Sequence, residues 1–353
     1  MNEMKVLAIN PGSTSTKLAY FSDKKLIKGY SLDHSVSEVS KYEKIVNQLD
    51  FRYQAILKWL ESEGINKLDC VVGRGGLLKP MPSGTYTVTE DLKKDLEIGV
   101  QGEHASNLGG LIADKIAKNH NAPAYIVDPV AVDEFEDIAR ISGMPEIERR
   151  SLLHALNIKA VAHRVAKDLN KKVDDLNMVI AHLGGGISIV PLSNGRMIDV
   201  NNANEFGPFS PERAGGLPVG DLVRLAFSGK YDLSTLKKKI TSEGGLVGYL
   251  KTNDARDVEK MILEGDKKAE LIYRAMAYQI SKEISAMATV LKGNVENIVL
   301  TGGLSYSDML VDMIKEHTEF IAPFLVYPGE DEMIALCEGA LRVLTEEEEA
   351  KIY

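Results

Sequence analysis

The sequence predicts an α/β chain built from two related halves, and three observations carry that prediction. A strand that runs into a Gly-rich turn and out into a second strand occurs twice. The first copy spans Val6–Tyr20 around Asn10-Pro11-Gly12-Ser13-Thr14-Ser15-Thr16-Lys17; the second spans Met178–Val190 around His182-Leu183-Gly184-Gly185-Gly186. Each copy then closes with a turn and one more strand, Leu26–Tyr30 and Met197–Val200. A repeat spaced by half the chain points to two copies of one design. Helical patterns alternate with short apolar strands after each hairpin. No linker rich in Pro, Gly or Ser divides the halves, and the boundary is placed at Asp128–Glu146, where the turn-prone Gly143-Met144-Pro145 lies.

In the first half, strands are expected at Val6–Asn10, Lys17–Phe21, Leu26–Ser31, Cys70–Gly73 and Tyr86–Val88. Helices are expected at Tyr42–Gly64, Thr89–Ile98 and Ser106–Asn119, the last two starting at Thr and Ser caps. Ala124-Tyr125-Ile126-Val127 reads as a buried strand that breaks at Asp128-Pro129. In the second half, Ser151–Asn170 is helical, the 178–200 hairpins follow, and Leu217–Phe227 opens another helix. Ala269–Leu291 is a long helix with an apolar face of Ile272, Met276, Ile280, Ile284, Met287 and Leu291. Ile298–Leu300 is a strand running into Gly302-Gly303, Pro323–Tyr327 a last strand, and Glu332–Leu344 a closing helix.

Composition narrows the function. The chain has 353 residues, 44% hydrophobic and 26% charged, an ordinary soluble make-up with ample core. A net charge of −9, from 42 Lys plus Arg against 51 Asp plus Glu, argues against a broad nucleic-acid surface. No apolar run approaches the ~18 residues of a membrane span, and no secretory leader fits before the first strand. Cys70 and Cys337 sit in apolar stretches without metal-type spacing and read as reduced thiols of a cytoplasmic protein. The acidic tail Glu346–Glu349 reads as a solvated run.

The chemistry-bearing signals are the turns. A backbone approaches a phosphate closely only where side chains are small, and successive N–H groups then form an anion-binding nest. The first turn offers small residues, hydroxyls and Lys17; the second offers three glycines. Neither is the Lys-ended phosphate loop or the dinucleotide fingerprint, but their matching position and flanking strands argue for one shared use. Thr301-Gly302-Gly303-Leu304-Ser305 permits an adenosine or phosphate to pack on backbone.

These residues carry a resemblance over Lys5 to Leu344. Asn10–Lys17, His182–Gly186, Asn253-Asp254-Ala255-Arg256-Asp257 and Thr301-Gly302-Gly303, in that order, resemble the acetokinase family of the actin, sugar kinase and heat-shock ATPase superfamily. Gly207–Pro218, Pro145–Ser151 and Tyr327–Met333 narrow the likeness to butyrate kinases, including those acting on branched-chain acids. The chain departs from acetate kinases at Gly185, where they carry Asn, and after Gly303, where they carry Gly-Glu-Asn. The resemblance implies two ribonuclease-H-like (actin-like ATPase) domains, mixed sheets flanked by helices, with the active-site cleft between them. It places one lobe at 1–130 plus a C-terminal helix of about 332–353, and a nucleotide-binding lobe at 131–331.

The implied reaction is reversible ATP-dependent phosphorylation of a short-chain fatty acid, butanoate first, to acyl phosphate and ADP by direct in-line transfer. A carboxylate with a pKa near ~5 is already an anion at neutral pH, so it needs no strong base. Repulsion is the difficulty: at ~4 Å and an effective dielectric of ~20 one charge pair costs about 4 kcal/mol, and cations must offset it. Arg74 and Arg213, each beside glycines, match catalytic arginines of the family and suit carboxylate and phosphoryl groups. His154 matches a histidine that donates to the phosphoryl group, His104 one on the substrate side, and Asp128 an aspartate near metal and attacking oxygen. His163 reads as structural, and His34, His120 and His317 as surface residues. Mg²⁺ is the implied metal, served by Asn10 and an acid within Glu330-Asp331-Glu332, Asp331 and Glu332 both being eligible. Ser13, Ser15, Lys17, His182, Gly184, Gly185 and Gly186 are assigned to the phosphates, and Asp254, Arg256, Gly302 and Gly303 to the nucleoside. A homo-oligomer is the general expectation. An acetate or propionate kinase is the alternative, followed by a non-catalytic actin-like nucleotide-binding protein or a sugar kinase with Asp128 as base.

Overall fold

A computed structural model describes residues 3–353, in two compact units. One contains the chain up to Asp133 with Ala155–Ala160 and Asp331–Tyr353; the other contains Glu134–His154 and Val161–Glu330. The first unit holds a six-stranded mixed sheet of β1 (Lys5–Pro11), β2 (Ser15–Ser22), β3 (Lys25–Asp33), β4 (Cys70–Arg74), β5 (Thr85–Thr87) and β6 (Ala124–Val127), ordered β3-β2-β1-β4-β6-β5. Hairpin pairing of β1, β2 and β3 is antiparallel, while β1, β4 and β6 run parallel. Parallel strands covered on both faces read as continuous apolar runs, as β1 and β4 do. Leu7 and Ile9 face a core shared with the helices Leu49–Ser62 and Asn107–Asn119. Val6 and Ala8 face the opposite core, under Leu336, Cys337 and Ala340 of the helix Glu332–Leu344.

The second unit holds β7 (Asn177–Leu183), β8 (Ile187–Ser193), β9 (Arg196–Met197), β10 (Asn297–Gly302) and β11 (Phe324–Pro328), ordered β11-β10-β7-β8-β9. Here too the hairpins are antiparallel and β7, β10 and β11 parallel. The series β3-β2-β1-β4-β6 and β9-β8-β7-β10-β11 therefore share order and direction, so the repeat in sequence is a repeat in topology. The long helix Lys267–Val290 buries Met276, Ile280, Ile284 and Met287 against this sheet, as its stripe predicts, with Ile272 partly buried. Among the described residues no helix is long and apolar enough to cross a membrane.

Several boundaries move for physical reasons. The expected helix from Tyr42 starts at Leu49, after a 3₁₀ turn at Ile45–Gln48 without a side-chain cap. The expected helix from Ser151 starts at Ala155, so His154 is its N-cap residue in non-helical conformation. Thr89 caps its helix by accepting from the Leu92 N–H, but Ser106 makes no such bond because its hydroxyl turns to His104. The strand expected at Met197–Val200 stops at Met197, and Asp199 is drawn into an ion pair with Arg149 at 2.7 Å. Helices at Leu233–Thr241, Gly245–Leu250 and Ala255–Leu263 had no sequence expectation. Both cysteines are buried thiols, and burial, then Asp69, pushes Cys70 up to about 12.

Candidate functional site

In the first unit the β1–β2 turn opens onto a cavity of about 340 Å³ lined by Asn10, Gly12, Ser15, Lys17, Arg74, His104 and Glu332. Strand ends supply most of these groups, because β1 and β4 are parallel neighbours and finish side by side. Glu332, first residue of the closing helix, accepts from the Asn10 amide at 2.5 Å and pairs with the Arg74 guanidinium. Asp331 instead caps that helix by accepting from the Ile334 N–H at 3.1 Å and does not line the cavity. His104 Nδ1 accepts from the Ser106 N–H at 3.2 Å, which leaves its proton on Nε2. Partial desolvation, then Arg74, holds this imidazole below its ordinary pKa. Asp128 is buried at φ 38°, its carboxylate accepting from the Gly84 N–H at 2.7 Å.

Beneath the turn lies Arg52, which sequence reasoning passed over. Its side chain is fully buried and holds the carbonyls of Gly12, Ser13 and Ser15 at 2.8–3.0 Å. Burial pulls it down to about 10, so it stays charged at neutral pH. His34, expected at the surface, is instead 5% exposed and shares a 2.9 Å hydrogen bond with Thr16. Burial, then the Arg52 charge, lowers its pKa and favours neutral imidazole. The sequence held one clue: Arg52 stands in the buried stripe of its helix with Ile56, Trp59 and Leu60.

In the second unit the β7–β8 turn is closed by the Gly184 N–H donating to the Gly186 carbonyl at 3.1 Å. Arg213 lies against it: a Cβ on Gly186 would sit 2.0 Å from its Nη1, which donates to the Ala203 carbonyl at 2.7 Å. Ser210 donates to the Gly185 carbonyl at 2.5 Å. His182 is 1% exposed and stacks on His154 with ring centroids 3.9 Å apart. Burial, then His154, pushes the His182 pKa well down, so this imidazole is neutral. Ser188, itself buried, holds His154 Nδ1 at 2.8 Å.

The same unit contains a cavity of about 660 Å³ lined by Gly184, Gly185, Glu212, Asp254, Arg256, Gly303 and Tyr306 among others. Asp254 caps its helix and pairs with Arg256 at 2.6 Å; hydrogen bonds from Arg256 pull its carboxyl down to about 2. Gly303 lines the cavity, whereas Gly302 and Gly186 do not: both are filled on their open side by protein, the Leu183 carbonyl and Arg213 respectively. Glu212, held at 2.7 Å by the Asn253 amide, adds a carboxylate that sequence reasoning did not single out.

The acetokinase family model matches residues 146–322. Over 351 residues the chain is 55% identical to a probable butyrate kinase 2 of Caldanaerobacter subterraneus subsp. tengcongensis, covering 99% of each. The chain belongs to the acetokinase family. This family member is also 55% identical over 354 residues to butyrate kinase 2 of Clostridium acetobutylicum, with 99% of each covered. Among solved structures it resembles the acetate kinase of Porphyromonas gingivalis (TM-score 0.78, 19% identity, 97% of this chain and 100% of that one). It likewise resembles a propionate kinase of Francisella tularensis (TM-score 0.74, 16% identity, 95% and 98%). Those likenesses show the fold, two mixed sheets flanked by helices in the actin-like ATPase arrangement.

Among the described residues, no group of three or more His, Cys, Asp or Glu is arranged to enclose a metal. In this acetokinase-family chain, Asn10 and Glu332 offer amide and carboxylate oxygens beside the first turn. That sparse all-oxygen set fits Mg²⁺, which keeps waters and phosphate oxygens for most of its shell.

Proposed function

We propose that this chain phosphorylates a short-chain fatty acid, butanoate before others, using ATP and releasing acyl phosphate and ADP. The observation that carries the reading is the cavity at the first turn, where Arg74, Lys17, Asn10 and Glu332 meet. Cations and oxygen donors at a strand-turn-strand cradle are what an anionic nucleophile and a polyphosphate both require. Kinship at 55% identity with proteins named butyrate kinase supports the acid.

The acid's carboxylate oxygen attacks the γ-phosphorus, the bond to the β,γ-bridging oxygen breaks, and ADP leaves with those electrons. No base is invoked, because the acid is already ionised. Arg74 orients the carboxylate with its fork, and the Nε2–H of His104 offers a further donor on that side. Arg213 and His154 donate to the oxygens of the migrating group, with His182 kept neutral so that it adds no competing charge. Bound Mg²⁺, held by Asn10 and Glu332, would neutralise phosphate charge. Asp128, fixed by Gly84 and outside the lining of that cavity, would act on the metal's surroundings only through intervening groups. Lys17, Ser13, Ser15 and the second turn take phosphate, and the cavity at Asp254, Arg256 and Gly303 takes the nucleoside.

The two units differ from the expected lobes, 1–130 plus 332–353 and 131–331, in giving 131–133, Ala155–Ala160 and Asp331 to the first, and we read them as the lobes of a cytoplasmic homo-oligomer. A hydroxamate assay with ATP, Mg²⁺ and acids of two to six carbons tests the function. Acyl phosphate formation greatest at four carbons is expected. A maximum at acetate would replace the substrate, and no hydroxamate with any acid would remove the kinase.

A further inference from the structure

We propose that Arg52 is a positioning residue that turns the first loop towards phosphate by engaging its carbonyl groups from below. The helix Leu49–Ser62 delivers the side chain to the underside of the turn, where it is 0% exposed. Nη1 donates to the carbonyls of Gly12 at 2.8 Å and Ser15 at 2.9 Å and to Thr16 Oγ1 at 3.1 Å. Nη2 donates to the Ser13 carbonyl at 3.0 Å. The remaining carbonyl, that of Thr14, accepts from the His34 N–H at 2.8 Å. Gln48 Oε1 accepts from Nε at 3.1 Å and Nη2 at 2.9 Å, which sets the plane of the fork.

All four carbonyls from Gly12 to Ser15 are thus engaged by the protein. In a planar trans peptide the carbonyl of one residue and the N–H of the next point in opposite directions. Drawing the Gly12 and Ser13 carbonyls inward therefore turns the Ser13 and Thr14 amides outward. Both residues are exposed, and among the described residues these two N–H groups have no hydrogen-bond partner. Outward amides on small residues are an anion cradle. The guanidinium also has no carboxylate partner among the described residues. A buried cation without one is unfavourable on its own account, and an anion bound above the turn offsets that cost.

The identity of the anion as nucleotide phosphate rests on the function proposed above. Isothermal titration of the full chain with ATP and, separately, with adenosine tests the proposal in Arg52→Lys and Arg52→Gln. Loss of hydrogen bonds to a charged group should weaken ATP binding about 10- to 100-fold, with adenosine affinity unchanged within about twofold. In turnover, KM for ATP should rise by a similar factor while KM for butanoate holds. Equal weakening of both ligands, or ATP affinity within about twofold of the unaltered chain, overturns the proposal. Should both variants fail to fold, Gln48→Leu frees the fork while keeping Arg52, and a smaller loss confined to ATP is expected. An unaltered chain that transfers no phosphoryl group yet gives this ATP-only loss in the variants would defeat the kinase reading and leave Arg52's role standing.

Discussion

The two glycine turns occupy equivalent places in equivalent sheets, yet they are held by opposite means. The first, between β1 and β2, is fixed from beneath by a buried cation that takes three of its carbonyls. The second, between β7 and β8, is fixed by removing side chains, so that Arg213 presses against Gly186 and the Leu183 carbonyl against Gly302. The neighbouring parallel strands differ in the same sense. At its end β4 presents Arg74 to a cavity of about 340 Å³, while β10 ends at Gly302 and is followed by Gly303, which lines one of about 660 Å³. A common frame thus carries charge at the turn of one unit and a roomier cavity beside the turn of the other.

Within the second turn, Gly186 and Gly185 face different surroundings. A methyl at Gly186 would sit 2.0 Å from Arg213 Nη1, the end of a flexible chain, so the fold survives by displacing the guanidinium. A methyl at Gly185 meets nothing closer than Glu212 at 3.7 Å. Gly186→Ala should therefore lower kcat about 10²- to 10³-fold, the cost of losing a donor to developing charge. Gly185→Ala displaces no protein group, so its kcat should stay within about threefold while KM for ATP rises. Steady-state kinetics of the two variants decide the matter. Similar losses in both would mean that Arg213 is not what Gly186 protects.

Next in size is the glycine pair where β10 ends. Gly302 has φ 88°, and a Cβ there would come within 2.3 Å of the Leu183 carbonyl oxygen. Gly302→Ala should cost about 1–3 kcal/mol from backbone conformation alone, with the clash adding to it, and lower the melting temperature. Gly303 has no atom within 4 Å of a built Cβ but lines the larger cavity. Gly303→Ala should melt with the unaltered chain and bind adenosine more weakly. Exchanged phenotypes, with Gly303 stabilising and Gly302 binding, would reverse the assignment of frame and floor.

How much of this was legible in the sequence follows from where each signal comes from. The repeat, the parallel strands and the helix Glu332–Leu344 are local patterns of apolar spacing, and the structure returns them closely except for the second copy's closing strand, which stops at Met197. Arg74 and Lys17 were readable because glycines and strand ends flag close approach, and they do line one cavity. Glu332 could not be told from Asp331 in sequence, since adjacent acids at a helix start differ only in which way each turns. Arg52 and His34 were missed because a polar residue in a buried stripe looks like an exposed one until its partners, about forty residues back for Arg52 and eighteen for His34, fold against it. Long-range hydrogen bonding has no period for a sequence to display.

The smallest predicted effect probes what the turns share. Each is backed by a buried histidine held neutral, His34 under the first and His182 under the second. Both have folded-state pKa values below the ~6.5 of an unfolded chain, so between those values the unfolded chain binds more protons than the folded one. Their contribution to stability is complete above pH ~6.5 and is lost as pH falls towards the folded values. The depression is large at His182, where burial is joined by His154, and moderate at His34, where burial is joined by Arg52. Melting curves from pH 8 to pH 5 should therefore fall less steeply for His182→Asn than for the unaltered chain, with His34→Asn in between. A steeper fall in either variant would mean that the folded protein carries that histidine charged. Equal slopes for the two variants would mean that the turns sit on equally polar foundations, and the contrast between a cation-backed and a glycine-backed cradle would then rest on Arg52 alone.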